Sequence, residues 1–378
     1  VRAWADAQQA LTRKYLDTLP DREQFSQSLR SLWNYERVGV PQQAGERFFY
    51  RYNDGLMNQD QIWVREGEQG APRLLLDPNT WDQDGTTALA SYAPSADGRY
   101  LAYLIQEDGS DWRRARVLDV DSGGVLADDL RWLKFTTLSW RKDNSGFYYS
   151  RYPAPEEGAA FQSLNEQHAQ YFHRLGSLQQ DDQRVIDDPE NPQWNYHTIV
   201  SHDEAWVVTR VWLGSDDRNQ VLVQNLRDGS APRYLIEGFA KEFGFIAHIN
   251  GELLFKTDLD APLKRVVAID PDSGSIREIV AQQREALLAV VAVGDRLLMS
   301  YLKDARTALR LVDYSGNNAV EVELPALGSV SSLSGQPSYQ TAYLGFSSFA
   351  HPPQVLALNL AAATTVTVNQ AEVAIDPA

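Results

Sequence analysis

One pattern recurs along the chain: an apolar run, a polar break, a second apolar run and a glycine turn. It is clearest in residues 95–124. Asp97-Gly98 opens the unit, Tyr100 to Leu104 form the first apolar run, and Glu107 to Asp111 break it. A second run over residues 115–120 ends at Asp121-Ser122-Gly123. Glycine takes positive φ without steric cost, so Asp-Gly and Ser-Gly pairs punctuate strand ends. The unit therefore predicts strand, loop, strand, turn.

The same grammar returns at 47–52 with 61–65, 147–150 with 169–174, 205–211 with 220–226, 253–255 with 265–269, 297–302 with 309–312, and 340–346 with 354–360, making seven copies. From the second copy on, the runs start near positions 98, 146, 204, 251, 295 and 342. That is a step of about 49 residues, the period of a β-propeller blade. A blade cannot bury both faces alone, so neighbours must stack and the ring must close. The rival architecture, a β-sandwich, shares the short strands and frequent turns. It does not call for seven copies of one unit.

Two stretches precede the repeat and follow a helical period. Trp4, Ala7, Leu11, Tyr15 and Leu16 share one face of residues 2–17. Pro20-Asp21 interrupts, and Phe25, Leu29 and Leu32 form a second stripe reaching residue 32 or 35. These two short helices lie outside the ring and are expected to pack on something else. Within the repeat, residues 153–167 are polar and small, which predicts an exposed loop. Near the end, Ala371 to Ile375 begin another strand-like run, so the chain reads as interrupted there.

Composition narrows the function classes. The 378 residues are 43% hydrophobic and 11% aromatic, enough for a large β core, and the formal net charge is −16. The acid is spread through turns, which argues against nucleic acid as a partner. With no cysteine, disulfides, thiolate zinc sites and Cys nucleophiles are excluded. No apolar stretch reaches the ~20 residues of a membrane span. The chain starts at Val1, and its N-terminus is expected to be incomplete.

No catalytic signature is spelled out. Gly-x-Ser-x-Gly, HExxH, P-loop and GxGxxG are all missing. The histidine pairs 168/173 and 197/202 are five apart. On a strand that odd spacing puts them on opposite faces, so no metal site is expected. Asp119/Asp121 and Asp270/Asp272 resemble the start of a calcium loop but read as turn caps.

Several segments, in order, resemble the prolyl oligopeptidase (prolyl endopeptidase) family of serine peptidases. They are Asn53-Asp54-Gly55-Leu56-Met57-Asn58-Gln59, Leu76-Asp77-Pro78-Asn79 with 84–89, Gly109-Ser110-Asp111-Trp112, residues 134–140, Tyr171-Phe172-His173-Arg174-Leu175-Gly176, 327–330 and 346–349. The first helix, from Ala7-Gln8-Gln9 to Tyr15-Leu16, resembles the family's first long helix, with Gln9 where Asn is expected.

The resemblance implies an all-β chain. A helical segment, 1–36, would pack on an α/β-hydrolase domain, a seven-bladed propeller would fill 45–365, and 366–378 would begin the linker to that domain. It implies an intact enzyme that cleaves short peptides after proline, with the propeller limiting access to small substrates. That enzyme would be soluble, cytoplasmic or periplasmic, a monomer, without cofactor. The family's Ser, Asp and His have no counterparts in this chain, so by itself it should be inactive. Tyr148 is the closest match to a family aromatic near the substrate, and it also reads as an ordinary strand aromatic. The channel is expected to be acidic. Two alternatives remain: a standalone propeller scaffold for a protein or peptide partner, and a propeller glycosidase with carboxylates at one channel mouth.

Overall fold

The computed structural model describes residues 2–156, 158–159 and 164–373. Helix α1 spans Arg2–Leu16 and α2 spans Arg22–Trp33. Arg13 and Lys14 in the last turn of α1 complement the helix dipole. Neither helix buries a single residue. Trp4 is 69% exposed and Trp33 67%, so the apolar stripes face outward uncovered.

The rest is a ring of seven antiparallel sheets, each built from consecutive strands. Blade 1 has five strands, from Arg37–Val38 to Arg73–Leu76, of which Arg37–Val38 and Gln42–Ala44 both pair with Arg47–Asn53 and together count as its first strand; the others have four. Blades 2 to 7 open with strands Thr87–Pro94, Ser139–Trp140, Trp194–Val200, Phe243–Ile249, Ala286–Val293 and Ser329–Ser334. The apolar runs legible in the sequence are the second and third strands of each blade. The fourth strand of blade 7, Thr364–Gln370, carries the ring past residue 365, and Arg37–Val38 begins it before residue 45. Ala371 to Val373 form no strand, and residues 374 and 375 of the strand-like run lie outside the described residues. So do residues 157 and 160–163 of the loop 153–167.

Antiparallel order fixes which loops share an end. The connections from second to third strand, and from one blade to the next, all lie on one rim. The chain also enters blade 1 and leaves blade 7 there, so we call it the terminal rim. First-to-second and third-to-fourth connections lie on the far rim.

Side-chain alternation decides the seams between blades. In blade 1, Phe49, Ile62 and Val64 point one way and join Leu89, Leu101 and Leu118 of blade 2 in one apolar cluster. Comparable clusters join blades 2 and 3, 4 and 5, 5 and 6, and 6 and 7, while Ile186 of blade 3 packs on a smaller one in blade 4. Among the described residues none joins blades 7 and 1. No strand is exchanged there either. The ring closes through Phe48 edge-on to Tyr343 (centroids 5.8 Å apart), the Tyr343 hydroxyl donating to Glu68 (2.9 Å), and the Tyr339 hydroxyl donating to the Gln43 carbonyl (3.4 Å).

The far rim is stitched by charge. Arg47 of blade 1 pairs with Asp121 and donates to the Gly98 carbonyl of blade 2. Asn144 of blade 3 donates to Asp97 of blade 2 (2.7 Å), Arg141 pairs with Glu204 of blade 4, and His248 of blade 5 bonds Asp203 of blade 4 (2.8 Å). Deeper in, His173 is fully buried between Asp128 of blade 2 (2.9 Å) and Asp182 of its own blade (2.7 Å). Burial alone would lower its pKa, but the two carboxylates outweigh that and raise it to about 9.

Candidate functional site

The terminal rim has a different chemistry. Between blades 2 and 4 it carries an aromatic cluster contributed by loops. Trp112 stands edge-on to Trp132 (5.5 Å) and Tyr152 (6.1 Å), and Phe135 edge-on to Tyr152 (6.5 Å). Tyr152 lies 4.5 Å from the His168 ring and donates its hydroxyl to Asn195. His168 is buried and neutral. Its Nδ1 accepts from the Tyr196 amide (3.0 Å), its Nε2 donates to the Lys134 carbonyl (3.2 Å), and burial pulls its pKa down to about 3. The Lys134 ammonium sits 3.8 Å over Trp112 and donates to Asn165 (3.1 Å), and burial lowers its pKa.

The backbone here is strained. Trp132 (φ 65°) and Phe135 (φ 51°) both occupy the left-handed region, which bulky residues avoid. Such conformations cost about 1–3 kcal/mol each and cluster at functional sites. Their effect is to hold Phe135 46% exposed at the rim. There it lines a cavity of about 450 Å³ with Tyr152, Asn165, Glu166, Asn195 and Trp212. A cavity of that size with aromatic walls and a few polar groups suits one or two residues of a peptide.

Tyr148 lies elsewhere. It sits mid-strand in blade 3, only 5% exposed, its ring 5.0 Å from Phe172. Burial raises its pKa against the opposing charge of nearby Arg141. Phe135, in the segment 134–140, drew no attention in the sequence, because the left-handed backbone that exposes it leaves no compositional trace.

His173 lies within the strand Ala169–Arg174, and His168 just before it. His173 reaches blade 2 and His168 reaches blade 4. No group of three or more His, Asp or Glu residues suited to a metal ion occurs among the described residues. Asp119 and Asp270 cap their turns, each accepting from the Ser amide three residues on.

The first strands of neighbouring blades contact one another and form the inner wall of the ring. A cavity of about 510 Å³ lies against this wall in blades 1, 2, 6 and 7. The expected acidic channel is not what the residues build. The first strands of blades 2 to 7 contain no Asp, Glu, Lys or Arg, and the one charged residue lining the cavity is Arg51. The acid resides in the outer turns.

Of the segments that carried the family resemblance, all but 171–176 lie on the terminal rim, in its loops or at the strand ends that border them. Exposed apolar side chains gather on the same rim: Leu56, Phe135, Leu164, Leu263, Leu327 and Phe349, drawn from around the ring. Both helices are uncovered as well, so much of the exposed apolar surface of this β-propeller lies on the terminal rim and the helices.

That class has a specific family within it. The model of the prolyl oligopeptidase N-terminal β-propeller domain matches residues 1–371, and the chain belongs to this family. The prolyl endopeptidase of Elizabethkingia meningoseptica is 29% identical over 380 residues, covering 100% of this chain and 53% of the relative. The dual function macrocyclase-peptidase POPB of Amanita bisporigera is 28% identical, covering 93% and 52%. A solved prolyl endopeptidase, from a study of inter-domain dynamics in catalysis and specificity, superposes with a TM-score of 0.85 at 39% identity over 100% of this chain and 54% of its own. Prolyl oligopeptidase B of Galerina marginata, bound to a 25-residue macrocyclisation substrate, shares the fold (TM-score 0.91, 23% identity, 100% and 56% covered). The chain thus spans about half the length of the relatives it matches. Among the described residues no helix is long and apolar enough to cross a membrane.

Proposed function

We propose that this chain is the propeller half of a serine peptidase that cleaves short peptides after proline, and that its terminal rim docks on the catalytic half. The observation that carries the reading is the uncovered apolar rim, continuous with two helices that bury nothing. A self-sufficient scaffold would not leave Trp4 and Trp33 in water. The propeller contributes no nucleophile or base; its part is to exclude folded proteins and seat the substrate. We assign the seating to the Phe135 cavity, which faces the docking side and holds its aromatic in a strained, pre-set position. Tyr148, buried against Phe172, serves as a blade aromatic that supports blade 3.

The test is to assay this chain alone and a longer protein that joins it to a catalytic half, side by side, on a short chromogenic peptide with proline before the scissile bond. The longer protein should turn over the peptide, and this chain alone should not. Equal lack of turnover in both would overturn the peptidase reading.

A further inference from the structure

The seam between blades 7 and 1 departs from the others. The side of blade 1 that faces blade 7 presents Tyr50, Tyr52, Trp63 and Arg65, all half-buried, where the other seams fully bury the side chains of their apolar clusters. Tyr50 and Trp63 are direct cross-strand partners, and the Tyr52 ring lies 5.1 Å from Trp63. Together they floor a cavity of about 320 Å³, walled on the blade 7 side by Val355 and Val368.

Two opposite charges stand at this floor. Glu36 lines the cavity and acts on the Tyr52 phenol, raising its pKa after burial does. Arg65 lines it as well, with its guanidinium 5.4 Å over the Phe48 ring. Its Nε–H is buried and has no acceptor. An unanswered buried donor of that kind costs about 1–3 kcal/mol unless a ligand or water accepts from it. Register places Arg65 opposite Phe48, four residues along the strand from Tyr52, which is about 13 Å. Glu36 and Arg65 thus line one and the same cavity, and two or three extended residues span about 7–10 Å.

We propose that this seam binds a free di- or tripeptide as a zwitterion, its ammonium on Glu36, its carboxylate on Arg65, and a ring side chain on the Tyr50–Tyr52–Trp63 floor. Charge complementarity selects the ligand: a capped peptide lacks one pole, and an amino acid is too short to reach both. The cavity volume is right for two to three small residues, and the aromatic floor favours flat or prolyl rings. The site lies apart from the Phe135 cavity, on the other side of the ring. It does not depend on the peptidase reading, because it is built wholly from this chain.

The experiment is calorimetric titration of this chain with Pro-Phe and Gly-Pro-Phe, each free, N-acetylated and C-amidated. Free peptides should bind at one site, and either cap should weaken binding about 10-fold, the loss of one charge-assisted contact. Glu36→Gln should abolish the discrimination against acetylation, and Arg65→Met the discrimination against amidation. Since Arg65 also stacks on Phe48, Arg65→Lys is the companion variant: it should restore the preference for a free carboxylate with the fold intact. Equal binding of capped and free peptides, or no saturation by about 10 mM, overturns the proposal. So does an undiminished preference in Glu36→Gln and Arg65→Met.

Discussion

His168, just before the strand Ala169–Arg174, and His173, near its end, stand five residues apart, and their surroundings are opposites. His173, towards the far rim, is held cationic between two buried carboxylates. His168, at the terminal rim, is held neutral among aromatic rings by two backbone groups. The contrast extends to whole rims. The far rim is tied from blade 1 to blade 5: its turns clasp neighbouring blades with ion pairs and hydrogen bonds. The terminal rim is unfinished, with strained loops, exposed leucines and phenylalanines, and helices without a partner. On the function proposed above, one end of the ring serves stability and the other association.

The hardest way to break this contrast is at the far rim. Asp128→Ala would leave His173 short of one counter-charge in a fully buried site, and it should cost about 3–5 kcal/mol in unfolding free energy. Denaturant titration of the variant and parent reads this directly. A loss below about 1 kcal/mol would show that the clasp is not a structural tie.

The next effect is on pH dependence, and the two histidines should give opposite signs. His173 has a folded pKa near 9, above its unfolded value. Its contribution is complete below pH ~6.5 and lost as pH rises through 9. His168 is depressed to about 3. Its contribution is complete above pH ~6.5 and lost as pH falls toward 3. The stability gap between parent and His173→Gln should therefore narrow on going alkaline, and that between parent and His168→Gln on going acid. Parallel curves for both variants would remove the distinction between the rims.

At the terminal rim, Phe135→Gly should not destabilise the chain. It relieves a left-handed phenylalanine and should raise stability by about 1 kcal/mol. In the longer protein the same change should raise KM for a short prolyl peptide about 10-fold, with kcat little altered. Smallest of all, Trp4→Ser with Trp33→Ser should shift unfolding by less than about 0.5 kcal/mol, because neither ring is buried. Binding of a hydrophobic dye should fall in that variant, and an unchanged dye signal would mean the helices are not the exposed apolar surface.

The ring was legible in the sequence because each blade's second and third strands bury both faces and end on glycine turns. Leu101-Ala102-Tyr103-Leu104 and Leu297-Leu298-Met299 are continuous apolar runs for that reason. The first strands were harder to read. Ser139–Trp140 and Ser329–Ser334 line the inner wall, where polar and small residues suffice, so they carry no hydrophobic signature. The outer strand Thr364–Gln370 is mostly exposed and passed for linker. The candidate site was less legible still. Phe135 acquires its position from a backbone dihedral, and Glu36 and Arg65 come to line one cavity only when blade 1 is folded and laid against blade 7. The expected acidic channel failed because the first strands of blades 2 to 7 carry no charged residue.

The two points where the chain enters and leaves the ring share one cavity, bordered by Glu36 on one side and Asn369 on the other. Seen from whatever fold holds both ends, the whole propeller is a loop with its feet together. Such a loop can be spliced into a host at a single surface point, because the closing entropy depends on the spacing of its ends rather than the bulk between them. No blade lends a strand to its neighbour, so the ring could equally be opened at another seam. A permuted chain starting at blade 2 would keep all seven sheets whole, and only the location of the feet would move.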